Sequence, residues 1–322
     1  MDREDQGPNT FESYAGLECH ADLNRVLNEH RRSQGNTEPS EVYEFDDQYG
    51  SLSAAEANSI LIVRNRAGEV VAYGRVHFDG MASGAEAALL WAASHVASPA
   101  IVYELIAHLE TLATLERSDL CAFVVMGGAR HEEFGVDLKT EKMKSAGYVE
   151  DRRIAMIRHR VRLGGHDEPN NPAIITCPAD RHLDAWFAHF SATNGLKDRE
   201  AADGAYEQFR RTPAWEPRHW KVLIESGHIV GQIRGHIRVG GDGVVRGFLD
   251  DMSVAETHRR RGLGRDLLLA GLKSLANAGA AYVESSVELA GPNVRLTRSV
   301  GFETVSVLPF FRKIVRGHAR DA

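Results

Sequence analysis

Apolar residues in the second half of the chain change their period repeatedly, and each change marks an element. Leu183, Trp186, Phe187 and Phe190 recur at steps of three and four, which predicts a helix over His182–Thr193. Trp220–Ser226 and His228–Val239 are rich in β-branched residues and are split at a Ser-Gly pair, so two strands joined by a turn are expected. Gly247–Val254 is expected as another strand. Arg265–Gly279 carries an apolar stripe at Leu267, Leu268, Leu272 and Leu275, and Gly279 suits the end of that helix. Ala281–Leu289 predicts a strand, Pro292–Val300 a short helix and Phe302–Ile314 a final strand or hairpin. With a short strand in Ala173–Ala179, the order is β-α-β-β-β-α-β-α-β. That order predicts an α/β (α+β) fold with a mixed, mostly antiparallel sheet flanked by helices on both faces.

The first half reads as a weaker copy of the second. Ala67–His77 aligns with Ser226–His236, so that Gly68, Val71, Arg75 and His77 fall on Gly227, Val230, Arg234 and His236. Leu138–His159 aligns with Arg295–Ile314, and Gly147-Tyr148 falls on Gly301-Phe302. Between the halves, Leu163–Ala173 collects Gly, Pro, Asn and Asp, the composition of a linker. The expected organisation is a flexible polar arm over 1–18, a domain over 19–162, a linker over 163–173, a second domain over 174–316 and a tail over 317–322. A chain of 322 residues suits two domains of about 100–200 residues each; one elongated domain is the alternative. Asn194–Ala205 reads as a loop inside the second domain.

Composition narrows the class. At 43% hydrophobic and 26% charged, the chain has enough apolar material for a sizeable core. The formal charge of −7 argues against a nucleic-acid partner, which favours a basic face. Cys19, Cys121 and Cys177 lack metal or disulfide spacing and read as reduced thiols, and no metal is expected. The polar, acidic start is unlike a signal peptide, and no apolar run approaches the ~18–20 residues of a membrane span. A cytoplasmic protein, monomeric or homodimeric and without a membrane partner, is the expectation.

The informative segment is Asp250–Leu272, a strand, a basic glycine-containing loop and a helix. Free N–H groups in a helix's first turn, with about half a positive charge from the macrodipole, bind anions. Gly262 and Gly264 leave the backbone open to a diphosphate. Arg259, Arg260, Arg261 and Arg265 oppose the dipole there, by roughly 0.3–1 kcal/mol each, unless an anion compensates them. Neither the Rossmann nor the P-loop glycine spacing is present.

Arg259-Arg260-Arg261-Gly262-Leu263-Gly264, five residues after Val254, resembles the R/Q-x-x-G-x-G/A signature of the GNAT acetyltransferase superfamily. Gly301-Phe302 resembles that family's element near the C-terminus. The resemblance covers 173–315 well and about 20–160 as a degenerate copy, as in tandem GNAT proteins of the mycothiol synthase type. It implies two tandem GNAT-like domains and acetyl-CoA as co-substrate. It also implies a coenzyme A site in the second domain made by Met252, Ser253, Val254, Arg259, Arg260, Arg261, Gly262, Leu263, Gly264, Arg265 and Asn293. Main-chain groups of Met252 and Val254 would hold the pantetheine arm, those of 260–265 the diphosphate, and Arg259 would shape the loop.

Acyl transfer to an amine needs a base, because an ammonium group, with a reference pKa near ~10, has no lone pair. Asp250 and Asp251 stand where some GNAT members carry an acidic pair; alternation along a strand lets only one of them face the cleft. Glu288, five residues before Asn293, resembles the base position of another branch; Glu284 lies on the same strand. Thr297 takes the place of the family's tyrosine acid, so Thr297, Ser299 or water relays the proton, or the thiolate leaves unaided. His236 and His258 are expected to be structural or solvent-facing, and Trp186, Trp215 and Trp220 to serve packing before any acceptor pocket.

At an offset of 158, Asp250 and Asp251 fall on Ala92 and Ala93, and Arg259, Gly262 and Gly264 on Ile101, Glu104 and Ile106. The first domain is expected to bind no coenzyme A. The function implied is N-acetylation of the primary amine of a small molecule or peptide: an aminosugar, an amino-acid derivative, a polyamine or a peptide α-amine. The alternatives are a non-catalytic acyl-CoA-binding regulator and an aminoacyl-transferring enzyme using charged tRNA, which the acidic balance disfavours.

Overall fold

The computed structural model describes residues 9–33, 57–78, 87–94, 100–126, 136–161, 171–176, 183–194, 203, 216–240 and 243–315. The linker's residues 163–170, most of the 194–205 loop, Trp215, Cys177 and the 317–322 tail lie outside them. The chain divides into two compact units, Met1–Arg153 with Val307–Ala322, and Ile154–Ser306.

In chain order the first half forms β1 (Thr10–Ser13), α1 (His20–Ser33), β2 (Ile60–Arg64), β3 (Val70–His77), β4 (Ala87–Ser94), α2 (Ala100–Glu116), β5 (Ala122–Met126), α3 (Val136–Ser145) and β6 (Val149–Arg160). The second half forms β7 (Ile174–Thr176), α4 (Leu183–Asn194), β8 (Lys221–Glu225), β9 (His228–Val239), β10 (Val245–Val254), α5 (Leu263–Asn277), β11 (Tyr282–Glu288), α6 (Asn293–Ser299) and β12 (Glu303–Ile314). From α1 and α4 onward the halves repeat one element order. The aligned glycine pairs repeat in conformation as well: φ is 81° at both Gly68 and Gly227, and 86° and 95° at Gly147 and Gly301. Residues 10–13, placed by sequence in a polar arm, instead pair with β2 as an edge strand.

The first unit is a sheet in the order β1-β2-β3-β4-β5-β12, parallel only at β4 and β5. Helix α2 buries Ile101, Leu105, Leu109 and Ala113 against one cluster, and α1 buries Leu23, Val26 and Leu27 in another. The second unit has the order β6-β11-β10-β9-β8-β7, parallel only at β10 and β11. Helix α5 presents Leu263, Leu267, Leu268, Leu272 and Leu275 to Ile233, Leu249 and Val283 on one face of that sheet. Helix α4 lies against β9 through Trp186, whose indole N–H donates to Gln232.

Each unit is completed by the last strand of the other half. The end of β6 pairs with β11, Arg160 facing Tyr282, and the end of β12 pairs with β5, Ile314 facing Ala122. Hydrophobic periodicity specifies which face of such a strand is buried but not which neighbour it joins, so the exchange is invisible in the sequence. In the first unit, Glu110 of α2 accepts hydrogen bonds from the Tyr148 hydroxyl (2.6 Å) and the Lys313 ammonium (2.7 Å), which ties the arriving strand to the helix.

Candidate active site

The strand-to-helix connection after β10 is shaped by its backbone. A short helical turn at Glu256–His258 leads to two left-handed residues, Arg260 (φ 67°) and Gly262 (φ 82°), and α5 begins at Leu263. Gly262 is the N-cap and offers no side chain, so the first-turn N–H groups of α5 receive no side-chain cap. Gly264 lets the turn approach α6, since a Cβ there would stand 3.3 Å from Leu296. The Arg259 Nε donates to the Val254 carbonyl (3.0 Å), which folds the arginine across the loop base. Arg261 forks onto Glu225 at 3.1–3.2 Å, with His258 Nε2 3.5 Å from the same carboxylate. Arg260 and Arg265 are exposed, and Leu263 is buried.

Beside this loop the sheet opens. The parallel pairing of β10 with β11 runs from Arg246/Tyr282 to Leu249/Ser285 and stops, although β10 continues to Val254 and β11 to Glu288. On the other edge of β10, its register with β9 shifts between Asp250 and Ser253, and Asp251 has φ 48°. Bulges re-aim side chains, and aspartate tolerates the left-handed region better than most residues. Met252, Ser253 and Val254 follow on the open stretch.

The bulge sends the two aspartates to different surroundings. Asp251 accepts from Gln232 Nε2 (2.7 Å), lies 3.3 Å from Arg234 Nε, and has 21% of its side chain exposed. Gln232 is itself held by Trp186 (2.7 Å). Burial lowers the pKa of the Arg234 guanidinium, and the carboxylates of Asp251 and then Asp250 oppose that shift. Asp250 has 48% of its side chain exposed and lies 3.3 Å from Nδ1 of His236, which is buried and stacked on Phe248 with centroids 4.9 Å apart. His189 of α4 shares a hydrogen bond with the Ser253 hydroxyl (2.9 Å). Burial lowers its pKa against the opposing pull of Asp251 and the Ile229 backbone, so it is neutral at pH 7.

The remaining candidates are scattered. Glu288 is exposed at the end of β11, and Glu284 is taken by Arg158 (2.7 and 2.9 Å). Asn293 is exposed at the start of α6. Thr297 is buried, and its hydroxyl donates back to the carbonyls of Asn293 (3.0 Å) and Val294 (3.2 Å). Ser299 turns back on Leu296 in the same way. Trp186 and Trp220 are buried and stacked at 6.0 Å. The sequence flagged none of Gln232, Ser253's partner His189 or the tie to Asp251; only the alignment of Arg75 with Arg234 hinted that a buried arginine belongs on β9.

The first unit lacks these devices among its described residues. Arg75 faces Trp91, as Arg234 faces Asp250, so strand register puts Trp91 at the Asp250 position and corrects the offset that gave Ala92. No register shift interrupts β3 and β4 there. Among the described residues, no His, Cys, Asp and Glu cluster is arranged for a metal, and no helix is long and apolar enough to cross a membrane.

Burial makes one measurable demand. His189 and His219 both have lowered pKa values, chiefly from burial, so the unfolded chain binds protons that the folded one does not once pH falls below about 6.5. Stability from these two groups is full above that value and is lost as pH falls toward their folded values. A scan of melting temperature from pH 7.5 to 5 is expected to decline, and a His189→Gln/His219→Gln double variant to decline less. An unchanged slope would remove both histidines from the account.

Residues 184–302 match the model of the Acetyltransferase (GNAT) family. A GCN5-related N-acetyltransferase from Sphaerobacter thermophilus is similar in structure at 17% identity, covering 96% of each chain with a TM-score of 0.78. A tandem GNAT protein from the clavulanic acid biosynthesis pathway is similar over 95% of this chain and 98% of its own, at 16% identity and a TM-score of 0.69. A GCN5-related glucosamine N-acetyltransferase region of a fungal multi-domain GH3 β-N-acetylglucosaminidase matches at 11% identity and a TM-score of 0.67, over 97% of this chain and 39% of that one. At these identities the likeness is one of fold. No curated protein sequence matches the chain. The fold is that of a tandem GNAT protein, and the stretch that matches the family model lies within the second unit.

Proposed function

We propose, from the GNAT domain of the second unit, that the protein is an acetyl-CoA-dependent N-acetyltransferase acting on the primary amine of a small molecule or peptide. The observation that supports this most is the uncapped, glycine-opened start of α5 beside the gap between β10 and β11. The donors fit the coenzyme. First-turn N–H groups and Arg260 and Arg265 suit its diphosphate, and the open stretch Met252–Val254 suits an extended amide-bearing arm. Bound acetyl-CoA supplies an activated thioester.

This chain's part is to hold that thioester and take a proton from the amine. Asp250 suits the proton transfer, being exposed at the last residue before the bulge and steadied by His236. Asp251, already bonded to Gln232 and facing Arg234, suits positioning. Thr297 is assigned to packing α6, so the thiolate leaves by way of water or unaided. The first unit is proposed to lack a coenzyme site.

The lack of a side-chain acid in place of the family's tyrosine, among the described residues, is what favours a second reading, a regulator that binds acyl-CoA without turnover. Calorimetry with coenzyme A and thiol release from acetyl-CoA over an amine panel separate the two. Binding with amine-dependent release is expected; binding without release for any amine would favour the regulator, and no binding would end both.

A further inference from the structure

The sheet of the second unit has two unlike faces. Leu249, Val283, Ile157 and Ile233 lie on one, under α5. The other carries a connected array of guanidinium groups and aromatic rings. Arg238 lies over the Phe248 ring at 5.4 Å, and Arg158 over the Tyr282 ring at 4.3 Å. Arg246 Nε donates to the Tyr282 hydroxyl (2.6 Å). Register sets Arg238, Arg246, Tyr282 and Arg160 in one row across four strands, and His236, Phe248, Glu284 and Arg158 in the next. Among these described residues the only carboxylate is Glu284, which Arg158 takes up. The chain as a whole has a charge of −7, so this concentration of positive charge runs against its average.

Asp250 continues this face toward the loop that begins after Val254. The proposed coenzyme site therefore lies beyond one end of the row of side chains, the arginine array lies toward the other, and Asp250 sits between. Asp250 stands four residue steps from Arg246, about 13 Å at ~3.3 Å per step. Arg158 already forks onto Glu284, whereas the Arg238 guanidinium, stacked on Phe248, is oriented to fork onto a carboxylate or phosphate.

We propose that this face seats the acceptor, and that the acceptor carries an anionic group, carboxylate or phosphate, about 13 Å from its reacting amine. The inference rests on the acetyltransferase reading and names its substrate class. Arg238, exposed at the edge of this row, binds the anionic end and so determines specificity; Asp250 receives the amine.

The test uses matched pairs with the whole protein and saturating desulfo-coenzyme A, so that the loop site is filled. One pair is tetraalanine and its C-terminal amide, since four extended residues span about 13–14 Å. The other is Ala-Ala-Ala-phosphoserine amide and Ala-Ala-Ala-serine amide, which replaces carboxylate by phosphate at a similar reach. Calorimetry is expected to show the anionic member of at least one pair binding about tenfold tighter or more, and the pair that discriminates names the anion. In Arg238→Ala the ratio should fall toward one. Arg160→Ala, on the far strand of the same row, should lower it less, and circular dichroism checks that both variants fold. With acetyl-CoA, the discrimination should appear in KM more than in kcat. Equal or undetectable binding of both members in both pairs overturns the inference, as does an unchanged ratio in Arg238→Ala. Failure of the underlying function is read separately, from absent coenzyme A binding.

Discussion

Coenzyme A should bind Gly262→Asp about a hundredfold more weakly than the parent protein, while Gly262→Asn loses about tenfold or less. Residue 262 has φ 82°, a region that asparagine and aspartate enter more easily than other side chains, and a Cβ there meets nothing within 4 Å. The two variants therefore share their steric and conformational cost, of order 1 kcal/mol, and differ by one negative charge. That charge would sit at the mouth of α5, where the diphosphate is proposed to rest on uncapped N–H groups. Melting temperature separates binding from folding. A carboxylate at a helix N-terminus complements the macrodipole, so Gly262→Asp should melt within about 4 °C of the parent even as it rejects the ligand. Equal affinity in both variants would mean that the diphosphate lies elsewhere.

This loop was legible because its chemistry is local. A strand ending at Val254, a fixed five-residue step to Arg259 and two glycines before a leucine-striped helix all lie within 23 consecutive residues. Backbone dihedrals and cap geometry follow from such a segment with little help from the rest of the chain. The element order of the second half was legible for the same reason, since periodicity reports which face of each element is buried.

The surroundings of the two aspartates were not legible, because they depend on partners far apart in sequence. Asp250 and Asp251 are adjacent and chemically alike, and strict alternation says only that they point oppositely. The bulge separates them: it is visible in the shifted register of β10 against β9 and leaves one carboxylate with Gln232 and Arg234, the other with His236. Nothing in the string Asp-Asp-Met-Ser announces an extra residue. Thr297 presents the reverse case. Its position in a motif marked it for chemistry, but a threonine in a short helix can satisfy its hydroxyl on the carbonyl four residues back, as it does here. The strand exchange between the halves was hidden too, because the period of a strand reports its buried face and not its neighbour.

Conservative replacement of the two aspartates should have opposite signatures. Asp250→Asn is expected to lower kcat by about a hundredfold or more, the usual scale for a lost proton acceptor, with melting temperature near that of the parent. Its side chain is about half exposed, so little folding energy rests on it. Asp251→Asn is expected to lower melting temperature by several degrees. It removes the carboxylate facing Arg234, whose side chain is only 15% exposed, and leaves a guanidinium charge short of compensation, at a cost of roughly 2–3 kcal/mol. Because the same carboxylate holds the bulge through Gln232, catalysis should fall as well, but through a misplaced backbone. Gln232→Glu would then be as harmful, setting two carboxylates against each other where one accepts an amide hydrogen now. Glu288→Gln completes the series, since Glu288 is exposed at the far lip of the same opening. Full activity in Asp250→Asn with a hundredfold loss in Glu288→Gln would move the base from β10 to β11. The bulge would then serve the coenzyme alone, since its exposed aspartate would have no proton to carry.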